Sequence, residues 1–242
     1  MGSGFTGAQG FSKLCFWGRA LVPLNIRERR VMASRQELLS TLNFYQQTWC
    51  TSRSAYQLRN ESFERDTLNL FFKFIRENPH CFNRSNIPGH VTGSALVLNP
   101  DLTRVLLTHH KKLGMWLQLG GHADGHPVTH EVAMTEAAEE SGLNDLRFWG
   151  YEGDLFGRPQ SGVPLPFDLD RHLIPTNSKD PEHFHYDVRY LVVAASEQLP
   201  VVSEESHDVR WFTFEQARAV TQEASMLRQF SKVEWIKKSL GL

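Results

Sequence analysis

One stretch near the middle of the sequence constrains the fold most, because it orders four elements in a fixed succession. Residues 115–119 are a short apolar run typical of a buried strand, and the glycine pair 120–121 follows as a turn. A helix that opens at Thr129, or two residues earlier at Pro127, then runs to Gly142. Glycine commonly ends helices, since it adopts the left-handed conformation. The stretch therefore predicts a strand, a glycine turn, a helix and a glycine stop.

The predicted helix carries three carboxylates, Glu136, Glu139 and Glu140, at positions i, i+3 and i+4 of one face. Like charges at this spacing cost a helix about 0.2–0.5 kcal/mol per pair. In the last turn the helix dipole disfavours a further anion by roughly 0.3–1 kcal/mol. A bound divalent cation would reverse both effects. A solvated acidic face is the alternative, but the order of the elements around the helix favours the metal.

From residue 121 to residue 143 the sequence resembles the Nudix box, G-x5-E-x7-R-E-U-x-E-E-x-G-U, in which U is aliphatic. Two positions depart from this pattern: Pro127 stands where the box has its first Glu, and Thr135 stands where it has Arg. Ala137 is a small substitute for the aliphatic residue. The matching positions are Gly121, Glu136, Ala137, Glu139, Glu140, Gly142 and Leu143.

The resemblance covers roughly residues 85–220, and the segments around the box look like bacterial Nudix proteins of unassigned substrate. It implies an α/β fold, a Nudix-type α/β/α sandwich with a mixed sheet. It also implies hydrolysis, dependent on Mg²⁺ or Mn²⁺, of a diphosphate linkage in a nucleoside diphosphate derivative or related metabolite. Because the Arg of the family helps to orient the catalytic glutamates, Thr135 leaves an alternative open: a catalytically weakened nucleotide-binding or regulatory module.

The resemblance also implies roles for individual residues. A further catalytic carboxylate often comes from a loop outside the box, and Glu205 is favoured over Glu204 for this role. The alternative for both is a solvated acidic loop. The backbone of Gly120 can approach a metal closely, since glycine has no Cβ. The expected metal ligands are Glu136, Glu139, Glu140 and Gly120, and the expected catalytic residues are Glu136, Glu139, Glu140 and Glu205.

A second polar surface is predicted where residues alternate along two strand candidates, 167–173 and 183–190. Side chains two residues apart share a face of a strand. One face then carries His183, His185, Asp187 and Arg189, and the neighbouring segment carries Asp168, Asp170 and His172. Three interpretations are open: ordinary exposed strand polarity, a polar pocket wall, or a second metal site. The expected substrate-binding residues are His122, His185, Asp187 and Arg189.

Composition limits the partners. The formal net charge of −1 gives no general attraction to nucleic acid or anionic membranes. No apolar run approaches the roughly 18 residues that a membrane span needs. Cys15, Cys50 and Cys81 form no CxxC pair, which favours a reducing compartment. We therefore expect a cytoplasmic enzyme with a small-molecule diphosphate substrate, no stable nucleic-acid partner and no membrane; dimers are common in the family, so a homodimer is compatible.

Three segments are predicted along the chain. Residues 1–31 read as a disordered extension, although a start without Asp or Glu up to residue 26 is also compatible with a transit peptide. Residues 32–84 form a helical hairpin, in which one helix begins at a capping box of Ser34 and Glu37 and the second covers residues 67–75. Residues 85–242 form the hydrolase domain. Its further strand candidates are 91–98, 104–108, 146–153, 166–174, 184–194 and 209–212, and its last helices are 214–220 and 225–240.

Overall fold

The computed structural model describes residues 26–50, 55–149, 163–178 and 180–242. Most of the predicted extension, residues 1–31, lies outside them. The helices are α1 (Ile26–Tyr45), which continues into a π-helical segment (Gln46–Cys50), α2 (Ala55–Glu77), α3 (Thr129–Ser141), α4 (Phe214–Val220) and α5 (Ala224–Leu240). The strands are β1 (Gly89–Leu98), β2 (Arg104–His110), β3 (Met115–Leu117), β4 (Leu119–His122), β5 (Leu146–Phe148), β6 (Asp168–Ile174), β7 (His183–Ala194) and β8 (Ser206–Thr213). In the described ranges, no helix has the length and apolar character that crossing a membrane requires.

The strands form one mixed eight-stranded sheet with β1 and β7 at its centre. These two strands run parallel over the whole of β1, and every other strand pair is antiparallel. On one side β1 also pairs with β2 and β4, while β7 pairs with β5 and β6. The predicted mixed sheet is confirmed, and so is the hairpin of the first two strands.

Helices α2 and α3 cover one face of the two central strands. A Cβ on Gly93 of β1 would come within 2.6 Å of the Thr129 carbonyl oxygen of α3, so this close approach requires glycine. Phe74 of α2 stacks on Tyr186 of β7 at 3.8 Å between ring centroids. This face is apolar, as the alternation predicts.

Helix α5 covers part of the opposite, polar face. Arg228 of α5 binds the carboxylates of Asp168 and Asp170 at 2.7 and 2.9 Å. Asp168 is 0% exposed, and Asp187 and Arg189 are 3% and 4% exposed. We call the polar residues of β6 and β7 on this face the polar row. Its interpretation as ordinary exposed strand polarity is wrong. Both faces of β7 are buried, so alternation of residue type did not mean alternation between core and solvent.

A buried ion pair ties the N-terminal helices to α5. Lys232 Nζ lies 2.9 Å from Glu64 Oε1 of α2 and 3.1 Å from the Tyr45 hydroxyl of α1. Neither Lys232 nor Glu64 is more than 1% exposed. Two predicted helix starts are wrong, because α1 begins at Ile26 rather than at residue 34, and α2 begins at Ala55 rather than at residue 67.

The glycine pair after the apolar run is also placed differently from the prediction. Gly120 and Gly121 lie in strand β4, paired with Ser94 and Gly93 of β1, instead of forming a turn. The predicted strand 115–119 is divided between β3 and β4, and Met115 is 38% exposed. The chain turns after β4 instead, before α3 begins at Thr129.

Candidate active site

Helix α3 brings two of its glutamates against strand β4. Glu140 is 6% exposed, and its Oε2 accepts a hydrogen bond of 3.0 Å from the backbone N–H of Gly120. The Glu136 carboxylate lies so close to Gly121 that a Cβ there would overlap it. The helix ends as predicted at Gly142, whose φ of 68° is left-handed. Gly121 is therefore needed for the close approach of Glu136, and Gly120 for the close approach of Ser94 in β1, rather than for a turn.

The three glutamates of α3 have different surroundings. Glu139 is exposed, whereas Glu136 is half-buried and Glu140 is buried. Burial raises the pKa of Glu136 to about 7, and the negative charges of Glu139, Glu205 and Asp124 raise it further. Burial also raises the pKa of Glu140 to about 7, against the hydrogen bond from Gly120 and with a contribution from the charges of Glu136 and Glu205. The described groups thus form a cluster of mutually repelling carboxylates.

The loop before β8 adds Glu205 to this cluster. The backbone N–H of Lys111 donates to the Glu205 carbonyl oxygen at 3.0 Å, and Lys111 Nζ donates to the Glu204 carbonyl oxygen at 2.6 Å. Of the two neighbouring carboxylates, Glu205 is the one whose charge raises the pKa of both Glu136 and Glu140. This effect of its charge favours Glu205 over Glu204, as the sequence interpretation did.

Asp124 is an acidic neighbour that the sequence analysis missed. It follows β4, has a left-handed φ of 46°, and its charge raises the pKa of Glu136. Its only signal in the sequence was its place three residues after Gly121. The charges that shift the Glu136 pKa come from three carboxylates, those of Glu139, Glu205 and Asp124. A divalent cation fits this set, because it would neutralise carboxylates that otherwise repel each other.

Asp187 and Arg189, two predicted substrate-binding residues, lie in the buried polar row. Asp187 accepts hydrogen bonds from Thr92 (2.9 Å), Ser94 (2.6 Å) and Gln118 (3.0 Å), and from Arg189 Nε (2.7 Å). The Arg189 guanidinium also lies 3.4 Å from Asp168 and 3.3 Å from Asp170. These contacts with protein atoms favour a role in holding the central strands over contact with a substrate.

The other two predicted substrate-binding residues, His122 and His185, lie at the β4 end of the row. Their rings pack edge to face at 4.9 Å between centroids. His122 directly follows Gly121 in β4, so its side chain points to the opposite face of the strand from Glu136. The sequence analysis missed His90 of β1, which pairs in register with His185. The sequence could have indicated it, because His90 lies two residues before Thr92 and so shares a face of the strand with it.

The chain matches a family model and is similar to several solved structures. The model of the NUDIX domain matches residues 89–231 of this chain. Similar solved structures include a NUDIX-family hydrolase from Clostridium perfringens, with 25% identity, coverage of 61% of this chain and 97% of that chain, and a TM-score of 0.45. The binary complex of Caenorhabditis elegans Ap4A hydrolase has 14% identity, covers 62% of this chain and 98% of its own, and has a TM-score of 0.47. The NUDIX domain of Shewanella oneidensis NrtR, complexed with ADP ribose, has 17% identity, coverage of 60% and 86%, and a TM-score of 0.39. No curated protein sequence matches the chain significantly.

Proposed function

Because this chain belongs to the NUDIX domain family, whose members include pyrophosphohydrolases, we propose that it hydrolyses a diphosphate linkage in a nucleoside diphosphate derivative or related metabolite. The observation that carries the proposal is the acidic cluster on the matched domain. In it, Glu136 and Glu140 of α3 meet the backbone of β4, and Glu205 acts on both by its charge.

The residues of the cluster fit a hard divalent ion, Mg²⁺ or Mn²⁺. Such ions take carboxylate and carbonyl oxygens as ligands. The proposed ligands are Glu136, Glu139, Glu140 and the backbone carbonyl of Gly120. When bound, the ion supplies positive charge for a diphosphate and lowers the pKa of a water molecule.

The chain's own groups position the reactants and move the proton. Glu205 is exposed, and its loop is fixed by the two Lys111 contacts, so it is our candidate to accept the proton of the attacking water. General base catalysis of this kind contributes about 10²–10⁴ in rate. Because Gly121 has no side chain, it leaves room for the Glu136 carboxylate. His122, on the other face of β4, stays a predicted substrate contact.

A panel of nucleoside diphosphate derivatives tests this proposal. With Mg²⁺ or Mn²⁺, the purified protein is expected to release a nucleoside monophosphate or phosphate from at least one of them. The Glu139→Gln variant should lose most of this activity and keep the wild-type circular dichroism spectrum, since Glu139 is exposed. Wild-type protein that hydrolyses no member of the panel with either ion would contradict the proposal.

A second candidate is a nucleotide-binding or regulatory module with weakened catalysis. Pro127 and Thr135 favour it, because they replace the Glu and Arg of the box. Calorimetry separates the two candidates: tight binding of a nucleotide without turnover supports the module. The cytoplasmic location, the homodimer and the division of the chain at residue 85 stay predictions.

A further inference from the structure

Three histidines meet on the polar face of the sheet, outside the acidic cluster. His90 comes from β1, and His183 and His185 come from β7. Their potential ligand atoms all lie within 4.8 Å of one another. His90 and His185 are register partners of the parallel pair β1–β7, and His183 lies two residues before His185. The two central strands therefore fix the arrangement.

Neither ring nitrogen of His90 has a partner among the residues that the structure describes. The residue is 1% exposed, and in the described part of the chain neither Nδ1 nor Nε2 forms a hydrogen bond. Buried polar side-chain atoms are nearly always satisfied, and a metal ion would satisfy one of these two nitrogens. The neutral imidazole is the form of histidine that binds metals.

His183 is oriented as metal-bound histidines usually are. Its Nδ1 lies 2.7 Å from the Pro181 carbonyl oxygen, and only an N–H can donate to that oxygen. The proton is therefore on Nδ1, which leaves a lone pair on Nε2 directed toward the cluster. A backbone carbonyl that fixes the tautomer in this way is a regular feature of histidine metal ligands.

The spacing of two of the nitrogens suits a tetrahedral ion. Nε2 of His183 and Nε2 of His185 are 3.3 Å apart. Two nitrogens bound to zinc at about 2.0–2.1 Å in tetrahedral geometry are separated by about 3.3–3.4 Å. A hydrogen bond from His185 to His183 would give a similar distance, but it would leave His90 unsatisfied.

We propose that His90, His183 and His185 bind a divalent transition-metal ion, with zinc as the reference ion, at a site separate from the acidic cluster. Three imidazole nitrogens suit zinc and its neighbours in the transition series, whereas Mg²⁺ takes oxygen ligands. Three protein ligands leave a fourth tetrahedral position open. His122 lies beside the site, with its ring 5.1 Å from that of His90. Gly121 meets Glu136 on the other face of β4, so the histidine site and the acidic cluster lie on opposite faces of this strand.

Metal binding to the full-length protein tests the proposal without reference to catalysis. The chain is freed of metal with a chelator, saturated with Mg²⁺ to occupy the acidic cluster, and titrated with Zn²⁺ in a calorimeter. We expect one tight zinc ion per chain. Protein loaded with Co²⁺ instead should show the intense visible absorption of a tetrahedral ion.

Matched variants locate the ion. His90→Gln and His185→Gln should each weaken zinc binding by more than about 100-fold and remove the cobalt spectrum. His80→Gln, which changes an exposed histidine outside the cluster, should bind zinc as the wild type does. Circular dichroism identifies a variant that fails to fold. The zinc affinity of the other histidine variant then tests the proposal.

Three results would overturn the proposal. They are the absence of stoichiometric zinc in the wild type with Mg²⁺ present, unchanged zinc affinity in a folded His90→Gln or His185→Gln protein, and loss of zinc in Glu140→Gln rather than in the histidine variants. The last result would place the zinc in the acidic cluster.

Discussion

Glu140 of α3 accepts a 3.0 Å hydrogen bond from the backbone N–H of Gly120 in β4, so a carboxylate of the acidic helix is fixed directly to the central sheet. This contact separates the structural role of Glu140 from its chemical one. A glutamine can accept the same hydrogen bond through its amide oxygen, but it carries no negative charge.

The first prediction follows from that contact. Glu140→Gln should reduce turnover by at least about 100-fold. Without metal, the variant should be as stable as the wild type or more stable, because one of the repelling carboxylates is gone. Steady-state kinetics and thermal unfolding, each with and without Mg²⁺, measure the two effects. Glu131→Gln, on the exposed first turn of α3, is the control and should keep wild-type turnover.

The second prediction concerns Gly121. In Gly121→Ala the new Cβ would overlap the Glu136 carboxylate and displace it. We expect a loss of no more than about 1 kcal/mol in the free energy of unfolding, since only the end of a flexible side chain must move, together with a loss of activity. Gly114→Ala is a matched control, since its Cβ meets nothing within 4 Å and only its φ of 63° is strained. It should cost about 1 kcal/mol and leave turnover unchanged. Full activity in Gly121→Ala would show that the position of Glu136 does not matter.

The third prediction concerns the departure from the box at Thr135. This residue is exposed on α3, so a longer side chain can be accommodated. If the missing Arg limits the enzyme, Thr135→Arg should raise kcat several-fold. Thr135→Lys should raise it less, because lysine lacks the planar guanidinium that binds a carboxylate in two places. An unchanged or lower rate in Thr135→Arg would show that turnover is limited elsewhere.

The fourth prediction concerns the buried pair of Lys232 and Glu64. Lys232→Met leaves the Glu64 carboxylate buried without its cation, which should cost about 3–5 kcal/mol of unfolding free energy. Adding Glu64→Gln should recover part of this loss, and urea unfolding of the single and double variants measures the coupling. The exposed Lys238→Met should change stability by less than about 0.5 kcal/mol. Equal losses in the single and double variants would contradict this account.

The fifth prediction is a dependence of stability on pH. Burial would raise the pKa of Asp170, but the Arg189 guanidinium, the hydrogen bond with His172 and the charge of Arg228 hold it well below its usual range. The unfolded carboxyl, with a pKa of about 3.9, binds a proton before the folded one does. Asp170 therefore stabilises the fold above that pH, and this contribution is lost as the pH falls below it.

The Asp170→Asn variant provides the measurement. It should lose roughly 2 kcal/mol or more at pH 7, where a buried carboxylate is removed from its two arginines. Between about pH 5 and about pH 2, its unfolding free energy should fall less steeply than that of the wild type. Parallel curves for the two proteins would show that Asp170 does not contribute to acid unfolding.

The box helix was the most predictable part of the structure. Its end was determined by Gly142, and helical spacing placed Glu136 and Glu140 together. What spacing could not predict is how differently the glutamates are buried, because that depends on β4 lying against two of them. The prediction that the glycine pair turns the chain failed because it, too, depended on local sequence alone. Glycine is needed for tight turns and for close packing alike, and only the tertiary structure shows which need applies.

The polar row shows a second limit of prediction. Alternation correctly placed His183, His185, Asp187 and Arg189 on one face, but it could not show that α5 buries this face. His90 was missed because the strand was predicted to begin at residue 91, one residue after it. Its partners come from β7, almost a hundred positions later in the chain. Contacts over such distances depend on the parallel register, which no local pattern contains.

The parallel register of β1 and β7 also has a consequence for assembly of the chain. Because side chains alternate along a strand, a slip by one residue would exchange the two faces of β7. Asp187 and Arg189 would then lie against the apolar surfaces of α2 and α3, and Tyr186 would lie among the ionic groups below α5. Such a mispaired sheet would leave charges buried without partners, so the polar row disfavours every alignment of the two central strands shifted by one residue.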